Sequence, residues 1–99
     1  MTLDNKDMME VQENLITEFL IDFLEHDPDY HLLTKEEQDK AFGIYKIVLT
    51  AVHKATSYGN VFPVVFANDT PSKKIVENAI RKLSEIVPEV EKVTVSLVH

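Results

Sequence analysis

The chain has 99 residues, 44% apolar and 27% charged, with ten Lys and Arg against seventeen Asp and Glu and no cysteine. That composition excludes a disordered polymer, a disulfide scaffold and a cysteine-ligated metal site, and the length fits one domain. The net charge of −7 is unevenly placed, because residues 1–40 hold twelve acids and only Lys6, Lys35 and Lys40.

The first seven residues are polar and terminal, and disorder is expected there. They lack the basic and apolar regions of a signal peptide, and no apolar run approaches the ~20 residues of a membrane span, so a cytoplasmic protein is expected. From about Met8 to Glu25, Leu15, Ile16, Phe19, Leu20, Phe23 and Leu24 recur at helical spacing. Pro28 disfavours helical backbone at the residue before it and marks the end of this helix. A second helix opens at Thr34, where Thr34-Lys35-Glu36-Glu37 matches a capping box. From Ala41 to Ala55 its apolar residues occupy more than one face, which predicts a central position, and Gly59 suits a left-handed stop.

The period then changes. Val61 to Ala67 is β-branched and aromatic and reads as a strand, with Pro63 pushing its start toward a sheet edge. Asn68-Asp69-Thr70 leads to Pro71 and a third helix, striped by Ile75, Val76, Ala79, Ile80, Leu83, Ile86 and Val87. Val93 to Val98 alternates as a half-buried strand. The predicted order is α-α-β-α-β: an acidic helical pair over residues 8–58, then a βαβ unit over 60–99 with a two-stranded parallel sheet and a right-handed crossover. So small a parallel sheet needs cover, from the helical pair or from a second copy in a homodimer.

The βα loop is the best-placed ligand site, since helix amides meet strand ends there. Asn68, Thr70, Ser72, Lys73, Lys74 and His99 are the candidate residues for a phosphate or carboxylate. Against them stand Asp69, which would repel an anion or simply cap the helix, and the lack of a glycine-rich loop. Glu25, His26, Asp27, Asp29 and His31 contain metal-capable side chains, but their spacing matches no metal signature, and no metal or other cofactor is assigned. His53 lies on a largely apolar helix and reads as a core or boundary residue rather than a ligand or base. No nucleophile elbow or Ser/His/Asp arrangement is present, so no catalytic residue is assigned.

Nucleic acid and anionic membranes are disfavoured by the charge; Lys73, Lys74, Arg81 and Lys82 form the main basic group. The acidic amino-terminal segment points instead to a basic protein partner, met through Glu13, Glu18, Asp22, Glu25, Asp27 and Asp29. Complementary charge would speed and orient such an encounter. Immunity proteins, anti-defence inhibitors and nucleic-acid mimics share this character. Three readings stand side by side: a charge-guided inhibitor or adaptor, a structural homo-oligomer, and an anion binder or enzyme using the loop at 68–74. The order of elements over residues 41–99 resembles that of the barstar family in outline, without its ribonuclease-contacting motif. Architecture of this kind carries no function with it.

Overall fold

Local chemistry sets most of the boundaries. The computed structural model describes residues 5–98, with side chains from residue 14 onward. Helix α1 spans Asn5–Glu25, and its first turn takes in the last three of the seven residues expected to be disordered, while residues 1–4 lie outside the described range. A one-turn helix, α2 (Pro28–His31), follows and is absent from the sequence expectation; Asp27 caps it, accepting from the Tyr30 N–H at 3.0 Å. Helix α3 spans Lys35–Ser57. The capping box forms as expected: Thr34 Oγ1 accepts from the Glu37 N–H at 3.1 Å, and Glu37 Oε1 accepts from the Thr34 N–H at 2.9 Å. The bond from the Thr34 N–H foremost holds the Glu37 pKa below the ordinary carboxylate value.

At the other end of α3, Gly59 takes φ +77°. Its N–H donates to Thr56 O at 3.0 Å, and the Asn60 N–H reaches back to Ala55 O at 2.9 Å. Together these bonds form a Schellman stop, which a glycine can adopt without a Cβ penalty.

Strand β1 is Val64–Ala67, shorter than the expected Val61–Ala67. Pro63 has no N–H to give, so the pairing opens with the Val64 N–H bonded to Thr94 O at 2.8 Å. Helix α4 (Thr70–Leu83) leads through a 3₁₀ turn (Pro88–Lys92) to β2 (Val95–Val98). The strands pair in parallel, Val64 beside Val95 and Ala67 beside Val98, and both α4 and the 3₁₀ turn pack with α3 or the sheet. The α-α-β-α-β order and the βαβ unit thus stand, with α2 and the 3₁₀ turn added. The stripe that sequence extends to Val87 ends as helix at Leu83, and Ile86 lies in the turn beyond it, 60% exposed.

One core joins the elements. Ile16, Leu20 and Leu24 of α1 meet Tyr45, Leu49 and Val52 of α3, and Ile75, Val76, Ala79 and Leu83 of α4. Val64, Val90 and Val93 complete it. Side chains repeat every second residue along a strand, so Val64 and Phe66, with Val95 and Leu97, turn inward. Val65, Ala67, Ser96 and Val98 face outward and are exposed. Helix α4, with Tyr45 of α3 against Phe66, therefore covers one sheet face, and the expected cover by the amino-terminal helical pair is limited to that contact. Helix α3 also departs from its expected central place: one face is buried, whereas Ile44 and Ile47 are 52% and 71% exposed.

Tyr45 is the largest fully buried side chain. Its hydroxyl hydrogen-bonds Ser72 Oγ at 2.7 Å, and its ring meets Phe66 edge-on with centroids 6.5 Å apart. This contact ties α3 to the start of α4 and to β1 at one point.

Candidate functional site

The acids of α1 are sorted by helical geometry. With Ile16, Leu20 and Leu24 facing inward, positions 18, 22 and 25 fall on the opposite side. Glu18, Asp22 and Glu25 are exposed accordingly. Of the other partner candidates, Asp27 is 6% exposed and serves as a cap, and Asp29 lies half-buried in the first turn of α2. The Glu13 side chain lies outside the described residues. The structure thus brings Glu18, Asp22 and Glu25 onto one face and separates Asp27 from them by burial.

Beside that face lies a cleft of about 470 Å³, where the end of α1 meets the end of α4. Phe19 and Phe23, half-buried and stacked at 6.0 Å, line it together with Ile86. Asp22, His26, Asp27, Lys82 and Glu85 supply its polar lining, and Lys82 Nζ bonds Glu85 Oε2 at 3.2 Å. Sequence reasoning missed Ile86, Lys82 and Glu85 as parts of a site. It read Ile86 as helical core, and no local pattern announces that position 86 meets position 19.

His26 and His31 both serve the end of α1. The His26 Nδ1–H donates to Asp22 O at 2.9 Å, and His31 Nε2–H donates to Glu25 O at 2.7 Å. These are carbonyls that a helix end leaves without partners. The bond to the Asp22 carbonyl, aided by the Asp22 and Glu25 charges, holds the His26 pKa above the ordinary imidazole value. Burial raises the Asp27 pKa above that of a free carboxylate. Potential ligand atoms of Asp22, Glu25 and His26 lie within 4.8 Å of one another, all exposed. His26 thus groups with α1 acids and not with Asp29 and His31; an exposed cluster of this kind is ordinary on a helix, and no metal is assigned to it.

The βα loop is organised differently from an anion cradle. Asp69 Oδ1 accepts from the Ser72 N–H at 3.1 Å and so caps α4 with its own carboxylate. Lys73 Nζ is paired with Glu77 Oε2 at 3.0 Å, and the Ser72 hydroxyl is turned inward to Tyr45. Asn68, at φ +50°, turns the chain out of β1; Asn68, Thr70 and Lys74 are exposed. His99 lies outside the described residues. The Ser72 and Lys73 N–H groups are thus both bonded to Asp69 and the Lys73 charge to Glu77, so an anion at this helix start would meet a carboxylate already in place.

Family models, characterised proteins and solved structures all fail to match this chain. Among the described residues, no helix is long and apolar enough to cross a membrane.

Proposed function

We propose that this protein is an acidic interaction module that captures a basic protein, acting as an inhibitor or adaptor by covering that partner's cationic surface. The observation that carries the reading is the adjacency of the Glu18/Asp22/Glu25 face to the Phe19/Phe23/Ile86 cleft. Charge on a solvated face steers an encounter and sets its register, while an apolar pocket beside it supplies the desolvated contact that lengthens the life of the complex. A partner suited to this surface presents Lys or Arg around an apolar or aromatic anchor.

The test is affinity capture from nuclease-treated lysate of the source, comparing the parent protein with the E18K/D22K/E25K variant and with Phe23→Ser. A single basic partner is expected on the parent protein, weakened by salt and lost in the charge-reversed variant. The Phe23→Ser variant should hold it with a faster dissociation rate at unchanged salt dependence. Capture that survives reversal of all three acids would refute the proposal.

A further inference from the structure

The cleft between α1 and α4 pairs aromatic rings with a buried carboxylate. Phe19 and Phe23 line it with their rings 13° from parallel, and Ile86 adds an aliphatic surface. At about 470 Å³ it falls within the range of sites that enclose small organic groups. Asp27 sets it apart from an ordinary apolar groove, being 6% exposed and yet part of the lining. Its Oδ2 accepts from the Tyr30 N–H, and among the described residues no donor is bonded to Oδ1. A buried charge is costly unless it is paired. The other charged groups of the lining do not pair this one: Lys82 is bonded to Glu85, and His26 gives its Nδ1–H to the Asp22 carbonyl. Burial foremost accordingly raises the Asp27 pKa, against the Tyr30 N–H bond.

We infer that the partner residue entering this cleft is an arginine, its aliphatic stem against Phe19, Phe23 and Ile86 and its guanidinium on Asp27 and Asp22. Such a side chain, which presupposes the basic partner proposed above, is the anchor of that encounter, apolar along its stem and charged at its tip. Charge complementarity selects it over a wholly apolar anchor. A leucine or phenylalanine would fill the cleft but would shut Asp27 away from water with its charge unpaired. The ring pair selects arginine over lysine. A guanidinium is planar, weakly hydrated and able to stack on an aromatic face while its forked N–H donors reach a carboxylate. An ammonium is a compact point charge that holds its water more tightly. Asp22, exposed at the rim, meets His26 Nδ1 only at 4.0 Å and stays open to the same cation.

N-acetylarginine amide carries that side chain alone, and N-acetylcitrulline amide has nearly its shape without the charge. In NMR titrations of the isotope-labelled protein at pH 7, the arginine compound should move the amides of Phe19, Phe23, Asp27 and Ile86 along a saturating curve. The citrulline compound should bind about tenfold more weakly or worse, because the charge-assisted bond to a buried carboxylate is lost. Asp27→Asn keeps an acceptor for the Tyr30 N–H and should weaken the arginine compound by about the same factor. Glu36→Gln, which removes an exposed acid in the first turn of α3, should leave it unchanged. Equal affinity for the two compounds overturns the inference. So does arginine binding that Asp27→Asn leaves intact, or a response that never saturates and spreads over every acidic surface. The basic partner is judged separately. A partner captured through Glu18, Asp22 and Glu25 by a protein whose cleft ignores arginine refutes the arginine anchor alone. Arginine held in the cleft with no basic protein captured refutes that partner and leaves the specificity of the cleft standing.

Discussion

Replacing Tyr45 by Phe removes one oxygen from the most buried aromatic side chain and leaves its ring in place. Tyr45 is 1% exposed and Ser72 8%, so neither hydroxyl has ready access to water when its partner is lost. Stranding a buried hydroxyl costs about 1–3 kcal/mol, and part of the Ser72 group can relax, so about 1–2 kcal/mol is expected. In a domain of about 100 residues each kcal/mol moves the melting midpoint by about 4–8 °C, which predicts a fall of about 5–15 °C. Ser72→Ala should cost a similar amount for the mirror-image reason. The double variant Y45F/S72A strands no hydroxyl, so its loss should be well below the sum of the two. Urea titrations of all four proteins, fitted with a common slope, give the coupling directly. Additive losses would refute the reasoning, because they would mean that the two hydroxyls are satisfied independently.

The two glycines should respond to alanine with opposite signs: Gly59→Ala loses about 1–2 kcal/mol at its left-handed φ, whereas Gly43→Ala, with open space where its Cβ would go, gains about 0.5–1 kcal/mol of helix stability. Thermal melts of the single variants decide the signs. Asp27 combines a cap with a buried charge. Because burial raises its folded pKa above the unfolded value, its ionisation lowers stability as pH climbs from the unfolded pKa through the folded one. Asp27→Asn keeps an acceptor for the Tyr30 N–H without that charge and should match or exceed the parent at pH 7, while Asp27→Ala should lose about 1 kcal/mol. Equal losses for Asn and Ala in melts at pH 7 would show that the charge itself is needed. Tyr45 gives the alkaline counterpart: burial foremost raises its folded pKa above 10.0, so its contribution is intact below pH 10 and is lost as pH rises through the folded value. Absorbance of the tyrosinate band should lag behind that of a free tyrosine until the fold opens.

The features legible in the sequence are those governed by rules a few residues long. Thr34 with Glu37, Gly59 before Asn60, Pro63 at the strand start and Asp69 before α4 each act on neighbours within five positions. What escaped depends on contacts between distant segments. Helix α2 is only four residues long and is held by α3: Tyr30 OH donates to Gln38 O at 2.8 Å, and Gln38 Nε2 donates to Tyr30 O and Leu33 O at 3.3 and 3.1 Å. Pattern reading ran past Leu83 because Ile86 and Val87 keep the apolar spacing after the helix has ended. The cleft needed residues 19 and 86 to be known as neighbours. Of the candidate residues, those of the acidic face followed helical periodicity and were readable; the inward turn of Ser72 and the burial of Asp27 depended on which residues lie across from them.

The sheet consists of two four-residue strands, and β2, which follows the 3₁₀ turn, rests on β1 and α4. Its release would break the β1–β2 ladder and uncover Val95 and Leu97, yet would leave α1, α3 and α4 in contact with one another. Two tiers of stability are therefore expected: a helical body that opens with global unfolding, and a β2 strand that detaches at lower cost. In hydrogen–deuterium exchange the Asn68 N–H, bonded to Val98 O, would report the upper layer of that hierarchy being shed, while the amides within α3 would keep the slow clock of global unfolding.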